Sequence, residues 1–153
     1  MLLAIDPGTD TGWALFSDAN DRDGRHRLVA CGLGDPRLSD KHRAADITRV
    51  VIERPMIYPR GQTKNPNDVV TLAVNAGEWG GLYRQWAAVE YVLPFQWKGS
   101  VPKNIHHERV IAKLSDAERV VVDQTLARGR SIARGKRHNV LDAIGLGLFG
   151  VGR

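Results

Sequence analysis

The sequence predicts an α/β fold in which a mixed five-stranded sheet is flanked by helices. Three short apolar runs near the start, residues 1–5, 12–17 and 27–33, are separated by turn-forming residues and indicate an antiparallel three-stranded meander. Two later runs, residues 49–53 and 88–93, read as further strands, the first apolar enough for the centre of a sheet. With no repeat or convincing linker, residues 1–153 are expected to form one domain.

The helices are predicted between and after these strands. Asp35 can cap a weak helix over residues 36–47, and Asn67 or Asp68 can cap a helix that runs to about residue 86. Ser115 with Glu118 three residues later is a capping box, which predicts a helix over residues 115–126. The remaining helices are predicted over residues 104–114 and 138–149.

The composition indicates a soluble protein of a reducing compartment. Apolar residues make up 42% of the chain and charged residues 25%, which is ordinary for a globular protein. No apolar run approaches the ~20 residues of a membrane span, and no signal peptide opens the chain. Cys31 is the single cysteine, so no internal disulfide can form. We therefore expect a cytoplasmic protein, in a bacterium or a phage-infected cell, without a membrane partner.

The positive charge of the chain is concentrated in its C-terminal part. The net charge is +5, yet residues 91–153 hold 11 Lys and Arg against 5 Asp and Glu. Five cations and no acid occupy residues 128–137, namely Arg128, Arg130, Arg134, Lys136 and Arg137. A basic cluster of this kind favours a polyanionic partner such as nucleic acid, the plainer alternative being a solvated basic loop.

Three carboxylates occur in or at the end of apolar segments that are far apart in the sequence. Asp6 follows residues 1–5, Glu53 ends the strand at residues 49–53, and Asp142 lies inside the apolar segment 138–149. Burying an ionised carboxylate is costly unless its charge is compensated. A divalent cation compensates several acids at once, and hard oxygen ligands suit Mg²⁺ or Mn²⁺. The pattern indicates a metal-dependent enzyme that acts on phosphate esters.

Four motifs in order resemble the RNase H-like nucleases and, more closely, the RuvC family of Holliday-junction resolvases. They are Asp6-Pro7-Gly8 with Thr11-Gly12, Ile52-Glu53-Arg54-Pro55, the segment 94–103, and His138-Asn139-Val140-Leu141-Asp142-Ala143. The resemblance covers essentially the whole chain. It implies an RNase H-like fold, in which parallel strands join the meander and the first strand lies at the sheet centre.

The resemblance also implies a catalytic site with two Mg²⁺ or Mn²⁺ ions. Asp6 would bridge the ions, and Glu53 and Asp142 would each complete one coordination sphere. Two ions ~3.5–4 Å apart activate a water and stabilise the leaving oxygen in phosphodiester hydrolysis. Lys98 and Lys103, in the segment 94–103, are expected to stabilise the scissile phosphate as point charges, although both could be ordinary surface lysines.

The fourth metal-site residue is ambiguous. The family commonly has Asp or His three residues before the last-helix aspartate, where this chain has Asn139, with His138 one residue earlier. Both positions share the helix face of Asp142, and we favour His138 over Asn139 because it can also shuttle a proton. The motif His106-His107-Glu108 invites a second metal interpretation, but adjacent histidines on a helix point apart, and we expect the motif on the surface.

DNA contacts are expected on the loop after Glu53 as well as on the basic cluster. Tyr58 is predicted to wedge against unstacked bases, with local core packing about equally plausible from the sequence. Arg60 and Lys64 are predicted phosphate contacts. Resolvases of the family pair two subunits to cut two symmetric strands, which implies a homodimer.

The sequence thus predicts a structure-selective endonuclease that nicks four-way or other branched DNA. One alternative is a less selective nuclease of the same fold that cuts forks, flaps or RNA–DNA hybrids, and another is a junction-binding module that does not cut. Residues 6–12 also resemble the phosphate-binding hairpin of actin-like and sugar-kinase ATPases, but those proteins need two lobes, and 153 residues barely supply one.

Overall fold

A five-stranded mixed sheet organises the part of the chain that the computed structural model describes, which is residues 1–18, 24–38, 46–58, 65–128, 132 and 134–153. The strands lie in the order β3-β2-β1-β4-β5, so the first strand is central. Antiparallel pairs join β1 to β2 and β2 to β3, and parallel pairs join β1 to β4 and β4 to β5. The predicted fold class is confirmed. The strands are β1 (Leu2–Asp6), β2 (Gly12–Phe16), β3 (Leu28–Leu33), β4 (Arg49–Glu53) and β5 (Ala88–Val92).

Five α-helices are found among the described residues, and most lie within three residues of their predicted bounds. They are α1 (Pro66–Tyr83), α2 (Pro94–Trp97), α3 (Lys103–Lys113), α4 (Asp116–Arg128) and α5 (Arg137–Gly150). The four-residue α2 was not predicted, because Pro94 reads as the end of a strand. In the described part of the chain, no helix has the length and apolar character needed to cross a membrane.

The predicted start of one helix is wrong, and another predicted helix is described only in part. The cap of α1 is Asn65, not Asn67 or Asp68, and its side-chain oxygen accepts a hydrogen bond from the backbone N–H of Asn67 at 3.1 Å. Pro66 then fits the first turn, where its missing N–H costs nothing. The helix predicted over residues 36–47 is described only as a 3₁₀ turn at Pro36–Leu38, and residues 39–45 lie outside the described part of the chain.

The side-chain alternation of the strands separates two apolar cores. Leu2 and Ala4 of β1 pack with α5 on one face, whereas Leu3 and Ile5 pack with α1 on the other. Because successive strand residues point to opposite faces, Asp6 follows Leu2 and Ala4 to the α5 face. On β4, Glu53 follows Val51 to that same face.

Helix α5 can lie directly on the sheet because the two positions of closest approach are glycines, which have no side chain. A Cβ at position 12 would overlap the backbone carbonyl of Asn139, and a Cβ at position 147 would overlap the ring of Phe16. The turn between β1 and β2 is also tied to the start of α5, since Asn139 Nδ2 donates to the Asp10 carbonyl at 2.8 Å. These contacts fix the part of α5 that carries Asp142.

Replacing Gly12 with alanine should destabilise the protein and disturb the position of Asp142. The new methyl group meets backbone rather than a flexible side chain, so α5 must move, and such overpacking typically costs ~1–3 kcal/mol. Chemical denaturation measures the change. Gly135→Ala is the matched control, because a Cβ there meets no atom within 4 Å. A Gly12→Ala protein as stable as the control would contradict this close approach.

Candidate active site

Three carboxylates meet at one edge of the sheet. Asp6 ends β1 and Glu53 ends β4, and the two strands are parallel neighbours, so both residues lie at the same end. Asp142 lies in the first half of α5, which packs on the face to which Asp6 and Glu53 belong. The fold therefore brings these three carboxylates, which are far apart in the sequence, to the same edge of the sheet.

Asp6 is the carboxylate whose ionised form is least favourable in this site. Burial raises the pKa of its carboxyl well above the ordinary value, and the nearby negative charges of Glu53 and Asp142 raise it further. Lys98 and Lys103 act in the opposite direction but do not cancel these effects. The positive charges of Lys98 and Lys103 are thus not sufficient to keep all three carboxylates ionised at this edge.

Glu53 is held by two donors that follow β5. Its Oε2 accepts hydrogen bonds from Trp97 Nε1 and from Lys98 Nζ, both at 2.9 Å. Burial alone would lower the pKa of Lys98, but the charge of Glu53 and its hydrogen bond raise it above the ordinary value. The ammonium also lies 4.7 Å from the centroid of the Trp97 ring, a cation–π distance. Lys98 is therefore a fixed cation beside the acids.

Asp142 is held by two donors from α3. Its Oδ2 pairs with Lys103 Nζ at 2.8 Å, and its Oδ1 lies 2.8 Å from His107 Nε2. Burial by itself would raise the pKa of Asp142, but the hydrogen bonds from His107 and Lys103 and the charges of the lysines lower it to about 2. Asp142 is therefore ionised at neutral pH.

The expectation that His106 and His107 lie on the surface is wrong. His106 is buried, and its ring packs edge-on against Trp97 with centroids 4.9 Å apart. His107 contacts Asp142. The two rings lie beside each other, with centroids 5.9 Å apart, and both contact other parts of the protein because α3 packs against α5 and α2. The missed signal was the four-residue spacing from Lys103, which puts His107 on the same helix face.

The two candidates for the fourth metal-site residue point to different partners. Asn139 is engaged with the β1–β2 turn through its hydrogen bond to Asp10. His138 is half-buried, and burial followed by the charge of Lys103 lowers its pKa, while the charge of Asp142 and a hydrogen bond with the Gly135 backbone oppose this. The charge of Asp142 thus affects the pKa of His138, but the hydrogen bond of His138 is made with the Gly135 backbone.

Two adjoining clefts expose the acids to solvent. One, of about 210 Å³, is lined by Asp6, Glu53 and Tyr58 together with Pro55 and Met56. The other, of about 220 Å³, is lined by Lys98, Lys103, Asp142 and again Tyr58. Tyr58 lies where the clefts meet and is 40% exposed. Six of the residues singled out in the sequence therefore line these two clefts.

The predicted basic contacts are described only in part. Arg60, Lys64 and Arg130 lie outside the described residues, as do the side chains of Arg128 and Arg134. Lys136 Nζ pairs with Asp10 Oδ1 at 2.7 Å while remaining about half exposed. Arg137 begins α5 and is half-buried. Lys136 and Arg137 are thus the members of the cluster whose side chains are described, and Lys136 contacts the β1–β2 turn.

The donor chemistry at this edge fits a hard divalent cation, although the side chains are not arranged as a ligand set. Among the described residues, no three His, Cys, Asp or Glu side chains are grouped so that they could hold a metal ion. Glu53 and Asp142 instead each engage a lysine. Carboxylate oxygens are the ligands that Mg²⁺ and Mn²⁺ prefer, and a cation would relieve the repulsion that raises the pKa of Asp6.

Comparison with known proteins finds similarity in solved structures only. No protein-family model and no curated protein matches the chain. A structure of Thermus thermophilus RuvC is 16% identical, covers 96% of this chain and 90% of its own, and superposes with a TM-score of 0.46. The yeast mitochondrial Holliday junction resolvase Ydc2 is 10% identical, covers 95% of this chain and 76% of its own, and superposes with a TM-score of 0.45. The chain is similar to these two proteins over nearly its whole length.

Proposed function

We propose that this chain is a metal-dependent, structure-selective endonuclease that nicks four-way or other branched DNA. The observation that carries the proposal is the convergence of Asp6, Glu53 and Asp142 on one sheet edge, open to solvent through two clefts. These acids would hold the divalent cations, which supply an activated water and a counter-charge for the leaving oxygen of a phosphodiester.

The lysines beside the acids support a phosphate ester as the substrate. Lys98 and Lys103 line the same cleft as Asp142, and both are paired with carboxylates in the free protein. If these carboxylates held divalent cations, the ammonium groups of Lys98 and Lys103 would be free to bind phosphate oxygens. A site with both carboxylates and lysines binds cations and an anionic backbone together.

Exposed apolar side chains at or next in sequence to residues that line the clefts support a substrate with unpaired or unstacked bases. Ile57 and Tyr58 follow Glu53 and are exposed, and Phe95 of α2 is 58% exposed two residues before Trp97. Exposed aromatic side chains next to a phosphodiester site can stack on bases that a continuous duplex keeps covered, which is worth ~1–3 kcal/mol per base. Branch points and strand exchanges offer such bases.

A homodimer is part of the proposal, because cutting two symmetric strands requires two sites. Four exposed small or apolar residues form one stripe along α1, with spacings of four, three and four: Val70, Val74, Gly77 and Gly81. A Cβ at either glycine would meet no atom within 4 Å. This outward stripe suits the self-complementary contact of a two-fold interface.

Neutralising the described part of the basic cluster should weaken DNA binding and flatten its dependence on salt. For Lys136→Ala with Arg137→Ala, we expect the slope of log K against log salt to fall by ~0.9 for each phosphate that the variant no longer neutralises. Arg84→Ala is the control, because Arg84 follows α1, outside the basic cluster, and its guanidinium lies over the Tyr91 ring. An unchanged slope in the double variant would remove these residues from the binding surface.

Selectivity is tested by comparing labelled four-way junction, fork, linear duplex and RNA–DNA hybrid under the same metal and salt conditions. The proposal predicts nicks in the four-way junction, or in branched substrates as a group, with linear duplex uncut. Equal cutting of all four substrates would instead identify a general nuclease. Tight junction binding without cutting under Mg²⁺ or Mn²⁺ would identify a junction-binding module.

A further inference from the structure

Helix α3 holds both oxygens of Asp142. Lys103 and His107 are four residues apart on α3, so they share one helix face, and that face meets α5. Lys103 Nζ contacts Oδ2 and His107 Nε2 contacts Oδ1, each at 2.8 Å. The Asp142 side chain is only 6% exposed, so these two partners supply most of its polar surroundings.

The two partners differ in how easily they can leave. The Lys103 side chain is 55% exposed and has a long flexible stem, whereas the His107 side chain is 17% exposed and packs beside the His106 ring, with centroids 5.9 Å apart. An ionised carboxylate has no proton to donate, so at 2.8 Å the Nε2 of His107 must be the donor. Lys103 is thus a removable counter-ion, and His107 is a fixed hydrogen-bond donor.

We propose that His107 is a positioning residue of the active site, which donates its Nε2–H to Asp142 Oδ1 and leaves Oδ2 available to a divalent cation once Lys103 withdraws. This inference rests on the proposed function, because it assumes that Asp142 is a metal ligand. The resemblance implies a fourth metal-site residue on α5, at His138 or Asn139, whereas this inference gives a residue of α3 a part in cation binding.

The test measures Mn²⁺ affinity by calorimetry on the full chain without DNA. His107→Ala should weaken Mn²⁺ binding by ~10- to 100-fold, the usual cost of losing a hydrogen-bond partner of a metal ligand. His107→Gln should restore most of the affinity, because its amide nitrogen can donate in place of Nε2 but is not a metal-binding imidazole. Lys103→Ala should bind Mn²⁺ at least as tightly as the wild type, because a competing cation is gone.

Several outcomes would overturn the inference. Wild-type Mn²⁺ affinity in His107→Ala would do so, and so would a His107→Gln protein as weak as His107→Ala, since that result indicates direct ligation by the imidazole. Weaker Mn²⁺ binding in Lys103→Ala would contradict the role of Lys103. Glu108→Gln, exposed on the same helix, controls for changes in α3, and circular dichroism reports whether each variant folds.

The failure of this inference and the failure of the proposed function are distinguishable. If the wild type cuts branched DNA while His107→Ala keeps its Mn²⁺ affinity, the inference alone fails. If the wild type binds Mn²⁺ in the predicted His107-dependent manner yet cuts no DNA, the proposed function fails and the positioning role stands. A wild type without measurable Mn²⁺ binding would overturn both.

Discussion

Replacing Asp6 with asparagine is expected to abolish strand cleavage while making the metal-free protein more stable. Asp6 is the acid at the centre of the edge, and burial together with Glu53 and Asp142 raises its pKa because the ionised form is unfavourable there. Asparagine keeps the size of the side chain and removes the charge. The fold therefore loses a source of repulsion, while the proposed metal site loses one of its three carboxylates.

This prediction separates function from folding. Cleavage of a labelled four-way junction should fall below detection, binding of the same junction in a gel-shift assay should persist, and the denaturant midpoint of the metal-free protein should rise. Added Mn²⁺ should raise the midpoint of the wild type and leave that of Asp6→Asn nearly unchanged, because ligands stabilise only the state that binds them. A variant that still cuts, or one that is less stable without metal, would show that Asp6 is not the strained acid of a metal site.

The second large effect concerns a buried carboxylate beside the C-terminal end of α5. Glu118 has a side chain that is 3% exposed and accepts from the Leu28 N–H at 2.9 Å, from the Ser115 N–H at 2.8 Å and from Arg153, whose Nη1 lies 2.6 Å from Oε1. It therefore links β3, the start of α4 and the C-terminal residues that follow α5. Burial raises the pKa of Glu118, but the hydrogen bond from Arg153 and those from Leu28 and Ser115 lower it to about 2.

Glu118→Gln should be substantially less stable than the wild type at neutral pH, and the difference should shrink in acid. A carboxyl whose pKa is lowered on folding contributes stability that is fully present above its unfolded pKa, about 4.5, and lost as the pH falls towards about 2. A shift of this size corresponds to about 3 kcal/mol. Urea denaturation of both proteins at pH 7 and at successively lower pH values gives the two free energies of unfolding.

The control for this prediction is an exposed ion pair on the same helix. Arg119 lies 3.8 Å from Asp116 at the solvent-facing start of α4, and such surface pairs contribute little. Arg119→Ala should therefore track the wild type at every pH. Equal stability of Glu118→Gln and the wild type at neutral pH, or a difference between them that persists unchanged in acid, would contradict the assigned role of Glu118.

Features that depend on residues close together in the sequence could be predicted from the sequence alone. The apolar runs that end in Asp6 and Glu53 could be recognised because a carboxylate directly after a buried strand is an uncommon, costly arrangement. The capping box of Ser115 and Glu118 was also readable and is present, with Ser115 N–H donating to Glu118 Oε2. The predicted strands differ from the observed ones by at most one residue at each end.

The features that were missed depend on contacts between distant parts of the chain. The spacing from Lys103 shows that His107 shares a helix face with that lysine, but it does not show that their partner is Asp142. That contact is made by the packing of α3 on α5, 35 residues away. The ion pair of Lys136 with Asp10 spans 126 residues. The pairing of Glu118 with Arg153 was likewise invisible, because Arg153 reads as an ordinary cation at the end of a glycine-rich segment.

The most direct measurement is metal-dependent cleavage of a labelled four-way junction by the wild type and by Asp6→Asn, Glu53→Gln and Asp142→Asn, with nick positions mapped on all strands. If the three acids form one catalytic site, the wild type should make paired, symmetric nicks in Mg²⁺ or Mn²⁺ and none in EDTA, and each substitution should abolish them. Cleavage that persists in EDTA, or in any of the three variants at the wild-type rate, would contradict a metal-dependent nuclease site at this edge of the sheet.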